Sequence, residues 1–90
     1  MALVKPKRRA DLAVVQIDGE AVIYDERSGH IHRLNQTATL VFECCDGRST
    51  IPDVAADFAA VYGAPVGQME RQIRSVIRRF QLRDLLERRA

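Results

Sequence analysis

Hydrophobic and polar residues in the first third of the chain follow the patterns of short β-strands. Residues 12–17 are apolar and rich in β-branched side chains, which favours a strand. Asp18-Gly19 follows them, and this dipeptide is the strongest short-range signal for a hairpin. Residues 20–25 and 30–34 continue as two further strands separated by a Gly-containing turn. Three strands joined by tight turns predict an antiparallel meander.

The apolar spacing changes to that of helices after residue 34. Asn35 is a suitable N-cap for a first helix over residues 37–45, because its side-chain oxygen can accept a hydrogen bond from a free backbone N–H. Thr50 and Asp53 have the spacing of a capping box, with Asp replacing the usual Glu, and open a second helix that Gly63 ends.

Pro65 opens a third helix with the clearest period of the chain. Its apolar stripe repeats every 3.6 residues and consists of Val66, Met69, Ile73, Val76, Ile77 and Phe80. The predicted order of elements is therefore βββααα, an α+β fold in one domain.

Charge is distributed unevenly along the 90 residues, although the net charge is only +2. Residues 1–9 carry four cations and no acid, which predicts a flexible basic arm before a folded domain over residues 10–90. Residues 10–65 have a net charge of −6, and residues 66–90 a net charge of +4. A basic arm and a basic last helix suit an acidic partner or nucleic acid.

The chain carries no signal for a membrane or for secretion. No run of about 18 apolar residues is present, and no apolar stretch follows the first charges. Cys44 and Cys45 are neighbours, and adjacent cysteines rarely satisfy disulfide geometry. We therefore expect a reduced, cytoplasmic protein that does not contact membranes.

The residue types that support catalysis or metal binding are present without a suitable spacing. His30 and His32 lie on one face of a strand, but no Cys-x-x-Cys or His-x-x-x-His pair accompanies them. Cys45 falls on the apolar stripe of a short helix, where a cysteine is usually a small buried hydrophobe. We expect no metal, no cofactor, no catalytic residue and no enzymatic activity.

An ordered set of motifs resembles the PqqD family, named for the pyrroloquinoline quinone biosynthesis protein D. The set consists of Asp18-Gly19-Glu20-Ala21-Val22, Gly29, His32-Arg33-Leu34-Asn35, Thr37-Ala38 and Asp46-Gly47. The resemblance extends from about residue 6 to residue 86. Asp84 departs from it, because the family pattern places a glycine before Leu85-Leu86.

The resemblance implies a winged-helix-like fold and a role in recognising peptides. Domains of this family hold the leader segment of a ribosomally made precursor peptide, lasso peptide precursors among them. They present it to a modifying enzyme of the radical SAM, protease or cyclase type. In such domains the leader adds as a strand to the third β-strand and packs against the third helix.

The sequence offers two sets of residues for this role. The edge-strand set is His30, Ile31, His32, Arg33 and Leu34. The helix set is Met69, Gln72, Ile73, Val76, Arg79 and Phe80. A strand with unpaired N–H and C=O groups can pair with an extended peptide, while the helix provides an apolar groove for its side chains.

Two other functions remain open at this point. The arginine-rich last helix and the basic arm could bind nucleic acid in the manner of a winged helix. The low net charge, the acidic middle of the chain and the lack of an Asn or Gln cluster for base reading argue against it. A scaffold subunit that forms a homodimer is the second alternative, because the core of so short a chain is small.

Overall fold

The computed structural model describes residues 4–88 and has the βββααα order that the sequence predicts. The strands are β1 (Ala13–Ile17), β2 (Glu20–Asp25) and β3 (His30–Arg33). The helices are α1 (Gln36–Cys44), α2 (Ile51–Tyr62) and α3 (Val66–Leu82). These bounds lie within one or two residues of the predicted ones, and the α+β class is confirmed.

The sheet is an antiparallel meander in the order β1-β2-β3, so β1 and β3 are its two edges. Asp18 and Gly19 form the first turn with φ values of 52° and 78°, as a two-residue hairpin of type I′ requires. The register places Ile23 opposite Val14 on β1 and opposite His32 on β3. This register fixes which side chains face the helices.

Alternation along the central strand β2 separates a buried face of the sheet from an exposed one, whereas all residues of β1 are exposed. Ala21 and Ile23 are buried against the helices, whereas Tyr24 and Ile31 lie on the opposite face and are exposed. The core joins Ile23 to residues of all three helices, and Phe42 of α1 meets Phe80 of α3 edge to face with ring centroids 5.5 Å apart. The helices are therefore packed on one side of the sheet.

The helix ends follow the local signals in the sequence. Asn35 accepts a hydrogen bond from the backbone N–H of Ala38, and Thr50 and Asp53 form a reciprocal capping box. Gly63 ends α2 in the left-handed conformation. Pro65 is the N-cap of α3 rather than its first residue.

Residues 6–9 differ from the flexible arm that the sequence predicts, whereas residues 1–3 lie outside the described part. The backbone N–H of Arg8 donates to Cys45, and that of Arg9 donates to Leu85. The guanidinium of Arg8 donates to carbonyl oxygens at the C-terminal end of α1, the nearest being Glu43 at 2.7 Å. A cation is favourable there because the free carbonyls concentrate partial negative charge. Residues 6–9 are thus part of the packed domain.

Arg9 is the centre of an ion cluster that joins the N-terminal segment to the turn after α3, and within it Arg9 and Asp25 are buried. Its guanidinium donates to Asp25 at 2.8 Å, to Asp11 at 2.9 Å and to the backbone carbonyl of Asp84 at 2.8 Å. Asp84 has a φ of 59°, so it adopts the left-handed conformation that suits the glycine of the family pattern. This turn directs Leu85 and Leu86 into the core.

Candidate functional site

The edge strand β3 has main-chain groups that no described residue satisfies. In an antiparallel pair, successive residues direct their N–H and C=O groups alternately toward the partner strand and away from it. Leu34 donates its N–H to Ala21 at 2.9 Å, so His32 and His30 also face β2. Ile31 and Arg33 therefore direct two N–H donors and two C=O acceptors to the open edge.

The junction between β3 and α1 is fixed by one buried hydroxyl. Thr39 accepts a hydrogen bond from the N–H of Ala21 at 2.9 Å and donates to the carbonyl of Leu34 at 3.3 Å. It therefore closes the end of the β2–β3 ladder with a side chain. Asn35 caps α1 immediately afterwards, and Leu34, which lies between the ladder and this cap, is buried in the core.

A small groove lies between this end of β3 and α3, and we call it the β3–α3 groove. Its lining residues are Arg33, Leu34, Asn35, Ala38, Val76, Arg79, Phe80 and Arg83. Leu34, Val76 and Phe80 form an apolar floor and are themselves almost fully buried. The groove has a volume of about 120 Å³. This is below the roughly 300–1,000 Å³ typical of cofactor and small-molecule sites, and it suits a single side chain.

The structure brings together some of the predicted site residues and separates others. Arg33 and Leu34 of the strand set line the groove, as do Val76, Arg79 and Phe80 of the helix set. The remaining six predicted residues, namely His30, Ile31, His32, Met69, Gln72 and Ile73, do not line it.

The six residues outside the groove have different surroundings. Ile31 offers main-chain groups at the open edge, while its side chain is exposed on the outer face of the sheet. Ile73 is buried in the core, and Met69 packs against the core while half-buried. Gln72 is exposed, four residues before Val76 on the same side of α3.

The prediction from sequence omits three lining residues, Asn35, Ala38 and Arg83. Asn35 and Ala38 are assigned from sequence to the start of α1, and the packing of that start against α3 is a long-range contact. Arg83 follows Val76 by seven residues and Arg79 by four, so helical spacing alone places it on the same side of α3. That spacing is the signal that identifies Arg83.

The arginines of α3 do not form a single basic face. Arg79 and Arg83 lie at the groove, whereas Arg71, Arg74 and Arg78 surround a separate shallow depression. Arg74 of that second group is paired with Glu70 at 3.3 Å. The arginine-rich helix is therefore divided between two surfaces, which weakens the nucleic-acid alternative.

Burial changes the protonation behaviour of both His32 and Cys45. Burial, together with the positive charge of Arg83, lowers the pKa of His32, and its buried Nε2 atom has no hydrogen-bond partner among the described residues. Burial raises the pKa of the Cys45 thiol to about 12, so the reactive thiolate is scarce at neutral pH. Within residues 4–88, no three His, Cys, Asp or Glu side chains converge as metal ligands.

Two larger concavities lie at the joined ends of the chain. One of about 670 Å³ is lined by Arg9, Asp11, Arg27 and neighbouring residues, and one of about 440 Å³ by residues of both terminal segments. Arg9 and Arg27 are both paired with Asp11, so the charged groups of the larger one are neutralised internally. Neither concavity includes a residue of β3, and the open edge is the better candidate site. No helix in the described range is long and apolar enough to span a membrane.

Two solved structures share this architecture over nearly their whole length. One is described as TbiB1 in complex with the TbiA(beta) leader peptide; it is 20% identical, with a TM-score of 0.81, and the match covers 93% of this chain and 98% of that one. The other is lasso peptide synthetase B1 complexed with the leader peptide, 25% identical, with a TM-score of 0.81 and coverage of 93% and 99%. The search of curated proteins found no match.

The family assignment rests on the sequence as well as on the fold. The family model described as coenzyme PQQ synthesis protein D (PqqD) matches residues 20–86. This range contains β2, β3 and all three helices, and with them the open edge and the groove. The chain therefore belongs to the PqqD family.

Proposed function

We propose that this chain binds the leader segment of a ribosomally made precursor peptide along β3 and presents it to a modifying enzyme. The observation that carries the proposal is the open edge of β3 beside a groove of side-chain size with an apolar floor and a polar rim. Both neighbouring structures contain a leader peptide, and the family match supports the same role. The role requires binding and release of a peptide, with the chemistry performed by the partner enzyme.

Main-chain pairing alone gives too little binding energy for this role. Ile31 and Arg33 offer two donors and two acceptors. Each new hydrogen bond contributes about 0.5–1.5 kcal/mol net. Association costs about 4–15 kcal/mol in lost freedom of motion, before the ordering of a flexible peptide is included. A peptide held by the edge alone would therefore bind weakly and without selectivity.

The groove supplies the missing affinity and the selectivity. Burying one Leu- or Phe-sized side chain contributes about 1.5–3 kcal/mol. An added strand has alternate side chains on one side, so one of them can enter the β3–α3 groove while its neighbours stay outside. The floor of Leu34, Val76 and Phe80 offers apolar contacts to such a side chain. The edge holds the peptide extended along β3, and the groove selects its sequence.

Backbone amide chemical shifts test the proposal directly. The ¹⁵N-labelled chain is titrated with each short peptide encoded beside its gene, and with the TbiA(beta) leader as a reference probe. We expect the shifts to concentrate in β3 and on the groove side of α3, with β1 as the internal control. Ile31 and Arg33 should show the largest downfield changes, because their amides gain acceptors.

Two outcomes decide against the proposal. Saturable shifts centred on β1 would place the peptide at the wrong edge of the sheet. No saturable shift with any of these peptides would remove the assigned role.

A further inference from the structure

Three arginines surround the β3–α3 groove, and no acidic residue lines it. They are Arg33 of β3, Arg79 of α3 and Arg83 at the end of α3. None of them makes an ion pair with a residue in the range 4–88. By contrast, Arg9 and Arg27 at the other end of the sheet are paired with carboxylates. Arg71 and Arg78 on the separate surface of α3 also lack an ion pair within residues 4–88, but the depression that they border includes no strand residue. Unpaired positive charge therefore lies beside an open strand edge only at the β3–α3 groove, within the described residues.

Cations at the C-terminal end of a helix are favourable, and this accounts for part of the arrangement, since Arg79 lies in the last turn of α3 and Arg83 is its C-cap. It accounts neither for Arg33 nor for the lack of a carboxylate partner. Arg79 and Arg83 are four residues apart, a spacing at which like charges destabilise a helix by about 0.2–0.5 kcal/mol. The charge of Arg83 also contributes to the lowered pKa of His32, so its field reaches the core side of β3. The three cations would be stabilised by carboxylates that this chain does not provide.

We propose that the groove selects extended peptide segments in which carboxylates flank a single apolar side chain. This inference rests on the proposed function and specifies the class of peptide. The apolar side chain enters the groove between Leu34, Val76 and Phe80. The carboxylates compensate Arg79 and Arg83 at its rim and Arg33 on the outer face of the sheet beside it.

The alternation of an added strand assigns positions to these carboxylates. Residues two apart point to the same side, so a carboxylate two positions from the apolar side chain faces Arg79 and Arg83. Arg33 alternates with Leu34, and its register partner Val22 lies on the outer face of the sheet. A carboxylate directly next to the apolar residue is therefore on the same side as Arg33 and can form a cross-strand pair with it.

Panning of random displayed peptides tests this sequence pattern even though the natural ligand is unidentified. The chain is immobilised at low salt, and a phage library of short random peptides is selected on it. We expect the enriched peptides to carry Asp or Glu one and two positions from a Leu, Ile, Phe, Tyr or Val. The same library is selected on Ile31→Pro, in which an edge donor is removed.

Matched arginine variants measure the contribution of the charge. The best enriched peptide and its Glu→Gln form are titrated against the wild type, Arg79→Gln, Arg83→Gln and the control Arg78→Gln on the separate surface. We expect each groove variant to weaken the acidic peptide by up to about fivefold, as an exposed ion pair of up to 1 kcal/mol implies. The control should leave the affinity unchanged. High salt should reduce the difference between the Glu and Gln peptides.

The possible results separate this inference from the proposed function. Enriched peptides that depend on the β3 edge but have no acidic preference would overturn the inference and leave the function standing. Equal losses in Arg78→Gln and Arg83→Gln would also overturn it, because the charge effect would then not be local. Enrichment that Ile31→Pro does not reduce, or no enrichment at all, would reject both.

Discussion

The two edges of the sheet offer the same main-chain chemistry in different surroundings. By the same alternation, Val14 and Gln16 of β1 direct their main-chain groups outward, as Ile31 and Arg33 of β3 do. Beside β1, the side chain of Gln16 donates to Glu43 of α1. Beside β3, the corresponding space is the β3–α3 groove with its apolar floor and unpaired arginines.

This difference shows that an open edge alone does not define a peptide site. Main-chain donors and acceptors are nearly identical in every edge strand, so they cannot select one peptide over another. The helix beside the edge determines whether a side chain of the incoming strand has a place to bind. Here α3 provides that place at β3, and the concavities described above include no residue of β1.

Replacing Arg9 should lower the free energy of unfolding more than the other changes below. It should also lower hydrogen-exchange protection in β3 more than in β1. Arg9→Met leaves Asp25 buried without its partner, which should cost about 3–5 kcal/mol in the free energy of unfolding. In the register of the sheet, Asp25 of β2 lies opposite His30, the first residue of β3. Urea unfolding gives the total loss, and hydrogen exchange shows where protection is lost. Equal loss of protection in both edge strands would show that the Arg9 cluster does not stabilise β3 selectively.

Acid should reproduce part of that loss. The hydrogen bonds from Arg9 hold the pKa of Asp25 well below its ordinary value of 3.8. The unfolded chain therefore binds the proton more readily, so the stabilisation is present above about pH 4 and is lost as pH falls toward the folded-state pKa. Urea midpoints measured between pH 6 and pH 2 check this. The double variant Arg9→Met/Asp25→Asn should show a shallower dependence; an unchanged slope would assign the acid sensitivity to other groups.

Filling the β3–α3 groove should remove the advantage of β3 over β1 in binding the leader, while the main-chain groups of both edge strands stay unchanged. Ala38 lines the groove, and Ala38→Leu extends a larger side chain into its volume of about 120 Å³. The displaced anchor of the peptide should cost about 1.5–3 kcal/mol, a loss of roughly ten- to a hundredfold in affinity. Fluorescence anisotropy with a labelled leader measures the loss. The control Ala60→Leu, on exposed α2 surface, should bind normally. Full affinity in the filled variant would mean that the anchor binds elsewhere.

A pair of proline variants compares the two edges directly. Ile31→Pro and Val14→Pro each remove one outward N–H without removing a ladder hydrogen bond. Losing one main-chain bond costs about 0.5–1.5 kcal/mol, so Ile31→Pro should weaken leader binding by roughly two- to tenfold. Val14→Pro should leave affinity unchanged while lowering the thermal midpoint about as much as Ile31→Pro does. If Val14→Pro weakened leader binding and Ile31→Pro did not, the peptide would have to bind along β1.

Local sequence signals predict the elements of this fold well. The hairpin at Asp18-Gly19, the Asn35 cap and the Thr50 capping box are all formed by residues close together in sequence. The same holds for the apolar period of α3, whose buried residues are Ile73, Val76, Ile77 and Phe80. Neighbouring residues determine these features, so a single sequence contains the information.

The parts that the sequence does not reveal depend on contacts between distant residues. The sequence alone places Arg9 in a basic arm, whereas in the folded chain it lies next to Asp25 and Asp84. A meander always has two edges, and only the packing of α1 and α3 shows which one has a groove. Ile73 and Val76 belong to one apolar stripe, yet the first is core and the second lines the groove as well. Periodicity identifies the buried face of α3, but it does not show which of its residues belong only to the core and which also line the groove.

The pairing of residues 7–8 with residues 86–87 has a practical consequence for architecture. Lys7 and Arg8 run beside Leu86 and Glu87, joined by the bond from the N–H of Glu87 to the carbonyl of Lys7 at 2.8 Å. A domain that the polypeptide enters and leaves at one place can be inserted into a surface loop of a larger protein. By the same geometry, a short Gly/Ser connector between residues 6 and 88 should permit a circularly permuted domain with new ends opened at residues 63–65. In such a variant the order of elements would be α3, the connector, β1, β2, β3, α1 and α2. The two sides of the β3–α3 groove would then be joined through the connector and the first two strands, and α1 and α2 would no longer lie between them in sequence.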